Sequence, residues 1–224
     1  MQLTVDQSNQ VNETGWGLAL HTVSRELGLA IGNQRGILRS QTWDLGRDLS
    51  SQFHTYLTRF IHPLTWQDFA FLAVVVGPGG FTGTRIGVVA ARTLAQQLEL
   101  PLFGISTLAA IAWAAKSSNM PDFEGDLAVQ LNAQRQEQFV AIYQAQRQGL
   151  QIQLPDQAMG VADWQQTLAT WPRPYQLIEA PEPIAATVAS ALALAYCQWQ
   201  QGDRPHWSEV LPFYGQHPVS QPVV

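Results

Sequence analysis

Cysteine and lysine are almost absent from this sequence, and each scarcity excludes a class of function. Among 224 residues Cys197 is the single cysteine, which excludes an internal disulfide and a cluster of cysteine metal ligands. Lys116 is the single lysine, and the formal net charge is −5. No basic stripe that could hold nucleic acid by counterion release is visible. A role on nucleic acid would therefore require a partner that binds it.

The sequence also lacks long hydrophobic runs and familiar catalytic motifs. No segment reaches the ~18 consecutive apolar residues of a membrane span, so we expect a cytoplasmic protein without membrane contact. His54 and His62 stand too far apart for a helical metal pair, and neither H-E-x-x-H nor G-x-S-x-G occurs. The acidic stretch 122–126 is interpreted as a solvated loop. We therefore expect no catalytic residue and no metal site in this chain.

Hydrophobic periodicity divides the chain into two halves, each running from strands to helices. The continuous apolar run 69–76 is typical of a strand buried on both faces. Thr107 is placed to cap a helix over 107–116. Strands are predicted at 17–23, 27–32, 37–43, 101–106, 127–133, 137–146, 150–154 and 174–180, and further helices at 47–61, 83–98 and 181–200. The predicted organisation is an extension at 1–16, a first lobe at 17–116 and a smaller second lobe at 117–224, which contains the long C-terminal helix.

The stretch AVVVGPGGFTGTRIGVVAAR (73–92) has the strand, glycine-rich turn and helix of an anion-binding loop. It lacks the lysine of a Walker A loop, and against G-x-G-x-x-G its third glycine, Gly83, stands one position late. Weak candidates for binding a phosphate are Gly77, Gly79, Gly80 and Thr82. The alternative is a purely structural turn, in which glycine permits positive φ and Thr82 or Thr84 caps the helix.

The helix after this turn has two different faces. Small residues on one side would allow close packing against a sheet. The other side carries Arg85, Val88, Val89, Arg92 and Gln96. Arginine mixed with apolar residues suits a protein interface, although an ordinary surface helix with two exposed valines also fits.

One family shares the stretch GPGGFTGTRIG almost letter for letter. The sequence resembles the TsaB (YeaZ) family, the dimerisation subunit of the machinery that forms threonylcarbamoyladenosine in tRNA, whose hallmark is G-P-G-S-F-T-G-x-R-x-G. Only Gly80 departs from it, in place of serine. The resemblance continues through LAQQLELPLFGISTLAAIA and extends more loosely over residues 17–215. It implies an α/β chain with a two-lobed actin-like, ribonuclease-H-like fold, in which helices flank mixed sheets.

Three departures from the family pattern bear on catalysis. His21 stands where the family has its first-strand aspartate, Asn132 replaces the aspartate of a downstream D-A-R, and Leu49 replaces a frequent histidine. Each change replaces a potential metal or phosphate ligand by a poorer one. An alternative register would recover Asp6 on the first strand, but the spacing of the first hairpin then fails. These departures argue against ATP turnover in this chain.

The resemblance therefore implies a non-catalytic subunit that pairs with a catalytic paralogue resembling TsaD. ATP and a metal ion are expected in that partner, a TsaE-like ATPase is a further possible partner, and tRNA is expected only through the complex. The predicted pairing surface lies on helices 47–61 and 83–98. Its residues are Phe53, Leu57, Arg85, Val88, Val89, Arg92 and Gln96.

Two other functions stay open at this point. The chain could be an independent enzyme, either a kinase-like ATPase or a peptidase of the glycoprotease type. It could also be a homodimeric scaffold, since a two-fold interface needs only a self-complementary surface.

Overall fold

The computed structural model describes residues 15–119 and 123–215. The N-terminal extension predicted at 1–16 therefore lies almost wholly outside the described residues, as does Asp6. The first half contains β1 (Trp16–His21), β2 (Glu26–Gly32), β3 (Leu38–Asp44), α1 (Leu49–Ile61), β4 (Phe69–Val75), α2 (Phe81–Leu98), β5 (Leu102–Ile105) and α3 (Thr107–Asn119). The second half contains β6 (Asp126–Asn132), β7 (Glu137–Gln146), β8 (Gly149–Gly160), α4 (Val161–Ala169), β9 (Tyr175–Glu179) and α5 (Val188–Gln200).

The first sheet has five strands in the order β3-β2-β1-β4-β5. β1 to β3 form the predicted antiparallel meander, and β4 and β5 add to β1 in parallel. The side chains of β4 are buried almost throughout, as its continuous apolar run predicts for a central strand. The parallel arrangement places the carboxyl ends of β1, β4 and β5 at one edge of the sheet. The glycine-rich turn follows β4 at this edge.

Helices cover both faces of the first sheet. α1 and α2 share one core with Leu18, Leu20 and Leu72. α5 packs on the opposite face, where Val188 and Leu192 contact the side of the sheet that carries Ala19. The helix predicted from residue 181 begins at Val188, because a turn of 3-10 helix occupies Ile184–Thr187.

The second sheet has the order β8-β7-β6-β9. α3 covers one of its faces and α4 the other, with Trp164 of α4 almost fully buried. The periodicity did not predict α4, and β8 is longer than the predicted strand. α3 does begin at Thr107, but the side chain that caps it belongs to Ser106, whose hydroxyl accepts the N–H of Ala109 at 3.1 Å. The hydroxyl of Thr107 is buried without a hydrogen-bond partner.

Candidate functional site

The glycine-rich turn packs tightly against two other segments of the chain. Gly77 has φ +108°, and a Cβ atom there would lie 2.1 Å from the carbonyl oxygen of Phe213. Gly80 donates its N–H to the carbonyl of Val23 at 2.6 Å. A Cβ atom on Gly79 would lie 2.7 Å from the same oxygen. The glycines thus permit close backbone approach, and the amide of Gly80 is used inside the protein.

The threonines of this turn do not cap α2 as predicted. The N-cap residue is Gly80, which has no side chain to accept an amide hydrogen. The hydroxyl of Thr84 instead donates to the carbonyl of Gly80 at 2.8 Å. Thr82 is exposed on the first turn of the helix. The structural alternative thus holds for the positive φ of Gly77 but is wrong for the threonine cap.

Residues 205–215, which we call the C-terminal strap, lie along α2. Arg85 donates to the phenolic oxygen of Tyr214 at 2.7 Å, and its guanidinium stacks 3.9 Å from the ring centre of Phe81. Further along the helix, the guanidinium of Arg92 lies 5.7 Å from the ring centre of Trp207. The two arginines of the predicted pairing surface thus also fix the strap to the helix.

A cleft of about 560 Å³ opens between the glycine-rich turn and the turn that joins β6 to β7. Gly79, Gly80 and Phe81 line one side, and Asn132 and Arg135 line the other. Tyr214 of the strap and Phe139 of β7 also line it. The cleft thus brings the weak phosphate candidates Gly79 and Gly80 near Asn132, which the resemblance also singled out.

Among the described residues, the side chains that line this cleft include no carboxylate that could hold the metal ion of a nucleotide. His21, for which the resemblance implies an aspartate in the family, lies outside the cleft lining; it is fully buried, and neither ring nitrogen has a hydrogen-bond partner. Burial lowers the pKa of His21 from 6.5 to about 3, so the ring is neutral at physiological pH. Asn132 is exposed but offers only an amide oxygen. In the part of the chain that the structure describes, no three acidic, histidine or cysteine side chains are grouped to hold a metal ion.

The predicted pairing surface is corrected for three of its residues. Phe53, Leu57 and Val88 are at most 2% exposed, because they form the core between the helices and the first sheet. Val89 is 62% exposed. Arg85 and Gln96 are also exposed, and Arg92 is half-buried against the strap. Four exposed residues of α2 form a row along the helix that we call the α2 stripe, namely Arg85, Val89, Thr93 and Gln96.

A second polar cluster was not found by sequence reasoning. Ser106, at the start of α3, and Tyr143, on β7, both donate hydrogen bonds to the carboxyl group of Asp156 on β8. Burial raises the pKa of Asp156 above its ordinary 3.8, and it also raises the pKa of Tyr143. Ser106 and Tyr143 line a second cavity of about 410 Å³. No local sequence signal marks this cluster, because its members are far apart in the chain.

No helix within the described segments has the length and apolar character needed to cross a membrane.

Known proteins resemble this chain in sequence and in fold. Residues 61–199 match the family model described as TsaD, tRNA N6-adenosine threonylcarbamoyltransferase. The tRNA threonylcarbamoyladenosine biosynthesis protein TsaB of Bacillus subtilis is 35% identical over 108 residues, which are 48% of this chain and 45% of that protein. The protein of the same name from Escherichia coli is 48% identical over 52 residues, 23% of this chain and 22% of that protein. The chain thus matches less than half the length of these curated relatives.

Solved structures extend the likeness to nearly the whole fold. YeaZ from Pseudomonas aeruginosa has a TM-score of 0.70 at 19% identity, covering 89% of this chain and 99% of that one. A protein described as uncharacterized, with similarity to peptidase YEAZ from Pseudomonas aeruginosa, has a TM-score of 0.72 at 19% identity, covering 90% and 100%. The actin-like, ribonuclease-H-like fold implied by the resemblance is confirmed. Because the family model matches more than half of the sequence, the chain belongs to the TsaD family, and the curated relatives that it matches are named TsaB.

Proposed function

We propose that this chain is a non-catalytic subunit in the formation of N6-threonylcarbamoyladenosine in tRNA, and that it pairs with and activates a TsaD-like catalytic paralogue. The observation that carries the proposal is the α2 stripe. Its exposed valine and flanking arginine lie on the outer face of the layer that α1 and α2 form over the first sheet. Apolar and arginine side chains mixed in this way are typical of protein interfaces.

The lack of fit for a nucleotide supports a non-catalytic role. A neutral, fully buried His21 cannot replace a carboxylate that holds a metal ion. The amide of Gly80 is already bonded to Val23 and is not free for a phosphate. Catalysis, ATP and the metal ion are therefore assigned to the partner. The formal net charge of −5 supports the proposal that tRNA is bound by other parts of the complex, and we include a TsaE-like ATPase in the proposal as a further component.

Co-purification with the TsaD-like protein of the same cytoplasm tests the pairing surface. We expect Val89→Asp to weaken the complex at least ~100-fold, because a carboxylate would be desolvated in the interface. Val161→Asp is the matched control, since Val161 is an exposed valine on α4, in the opposite outer layer. If Val89→Asp binds the partner as tightly as the wild type, the α2 stripe is not the pairing surface.

The function itself has a separate test. Cells that lack this chain are expected to lose threonylcarbamoyladenosine from their tRNA, measured by mass spectrometry of digested tRNA. The wild-type chain should restore the modification, and Val89→Asp should not. Unchanged modification in its absence would exclude the proposed role. ATP hydrolysis by the isolated chain that is lost in Gly79→Val would favour the independent enzyme instead.

A homodimer is the second candidate, because the exposed Val89 would also suit a two-fold contact between identical helices. Light scattering on the isolated chain, and then on its mixture with the TsaD-like protein, separates the two. A dimer that persists unchanged in the mixture would favour the scaffold function.

A further inference from the structure

The C-terminal strap has two parts that are held very differently. Its first part is anchored in the first lobe. Leu102 of β5 donates its N–H to the carbonyl of Pro205 at 3.2 Å, and Val210 is buried in the core. The second part, residues 211–215, lies on the surface, with Leu211 62% exposed and Phe213 36% exposed. The strap can therefore stay attached at its first part while its second part detaches.

The second part of the strap crosses from the first sheet to the second. The N–H of Phe213 donates to the carbonyl of Val76, just after β4, at 2.7 Å. Tyr214 then accepts a hydrogen bond from Arg85, and its ring centre lies 4.6 Å from that of Phe81 on α2. Gly215 comes next and approaches Phe139 of β7 so closely that a Cβ atom would lie 2.7 Å from its ring. Three consecutive residues thus contact both walls of the cleft.

We propose that residues 211–215 are an interlobe latch, which ties α2 and the glycine-rich turn to β7 and thereby fixes the opening of the cleft. The latch is held by one backbone hydrogen bond, one side-chain hydrogen bond, ring contacts and the approach of Gly215 to Phe139. Such an exposed segment with few bonds opens at a small fraction of the free energy of global unfolding. Opening removes Tyr214 from the cleft and frees Arg85 for other contacts.

The latch also links the cleft to the α2 stripe, because Arg85 of the stripe donates a hydrogen bond to Tyr214, which lines the cleft. In the closed state, the guanidinium is held between Phe81 and Tyr214. A ligand or partner that binds Arg85 elsewhere therefore competes with the latch and favours the open state. The latch itself is a property of the isolated chain and does not depend on the proposed function.

Hydrogen exchange on the isolated full chain, measured by mass spectrometry, tests the latch. We expect Tyr214→Ala to raise exchange about tenfold in two separate segments, residues 77–85 of the first lobe and 132–140 of the second. Tyr214→Phe removes only the hydroxyl that Arg85 contacts and should raise exchange in both segments by a smaller factor. Amides of β1 and β4 serve as the internal reference and should exchange as in the wild type.

Tyr175→Ala is the matched control, since Tyr175 is a partly exposed aromatic residue of β9 outside the strap. It should leave both segments at the wild-type rate. Faster exchange in 77–85 alone would overturn the proposal, because the strap would then stabilise α2 without holding the lobes together. Unchanged exchange in both segments of Tyr214→Phe and Tyr214→Ala would overturn it as well. If Tyr214→Ala also raises exchange in β1 and β4, global unfolding is responsible for its effect. The proposal is then tested by Tyr214→Phe, which must still raise exchange in both segments and leave β1 and β4 at the wild-type rate.

Discussion

The hydroxyl of Thr22 donates a hydrogen bond of 2.8 Å to the carbonyl oxygen of Gly83, and this contact joins the end of β1 to the first turn of α2. One turn later, a Cβ atom on Gly87 would lie 2.1 Å from the same hydroxyl. Glycine at both positions lets the helix backbone lie directly on the edge of the sheet. This close packing sets the position of α2, and with it the position of the glycine-rich turn and of the α2 stripe.

Gly83→Ala should therefore destabilise the protein, although alanine normally favours a helix. The added Cβ would lie 2.0 Å from the backbone oxygen of Thr22, so either the helix or β1 must shift. We expect the free energy of unfolding to fall by about 2 kcal/mol or more in urea denaturation. Thr82→Ala, at an exposed position of the same turn, is the control and should change it by less than about 0.5 kcal/mol. Equal stability of Gly83→Ala and the wild type would show that the approach of helix and strand is not tight.

Truncation of two adjacent valines of α2 should change the free energy of unfolding by very different amounts. Val88 is 1% exposed and Val89 is 62% exposed. Val88→Ala should lower the free energy of unfolding by about 2 kcal/mol, because it removes buried methyl groups. Val89→Ala should change it by less than about 0.5 kcal/mol and act only on partner binding. Denaturation of the two variants under the same conditions checks this, and a large cost for Val89→Ala would place it in the core.

His21 should make the protein less stable as the pH falls below neutrality. The unfolded chain binds a proton at His21 near its ordinary pKa of 6.5, whereas the folded protein does not until about pH 3. The free energy of unfolding therefore falls by up to about 1.4 kcal/mol for each pH unit in this window. In His21→Leu this part of the pH dependence of the free energy of unfolding should be absent. His54→Leu, which retains His21, should keep it, and identical pH profiles for wild type and His21→Leu would contradict the buried, neutral ring.

Asp156 should give the free energy of unfolding a pH dependence opposite in sign to that of His21. Burial raises its pKa in the folded protein above the ordinary 3.8, so the folded state holds this proton to higher pH than the unfolded state. The stabilising contribution is complete below pH 3.8 and is lost as the pH rises through the folded pKa. Asp156→Asn should abolish this loss when denaturation is followed from acid to neutral pH. Asp163→Asn, on the exposed side of α4, retains Asp156 and should show the wild-type dependence.

Local patterns in the sequence predicted most elements, because they depend on neighbours in the chain. Except for β8, which extends beyond its predicted end, the strands of both sheets lie near their predicted bounds, since runs of apolar residues and alternation are local properties. α4 was missed because its buried side is only Trp164 and Leu168, one helical turn apart. Two residues are too few to establish a helical period.

The side of α2 that faces the core could not be assigned from its periodicity alone. Val88 and Val89 differ by ~100° on the helix, and both were assigned to the outer face. The structure buries Val88 in the shared core of α1, α2 and the first sheet, whereas Val89 points outward. The width of the buried side depends on how deeply a helix is embedded among its neighbours. This depth cannot be predicted from the sequence of the helix alone.

The family, the strands and every α-helix except α4 could be predicted from the sequence, as could the replacement of family aspartates that the resemblance implies at His21 and Asn132. These conclusions rest on residue identities and on local periodicity. No sequence pattern predicts that the amide of Gly80 is bonded to Val23, that Ser106 and Tyr143 share Asp156, or that the strap spans the cleft. Such contacts join residues distant in the chain, and their existence depends on how the two sheets and their helices pack together.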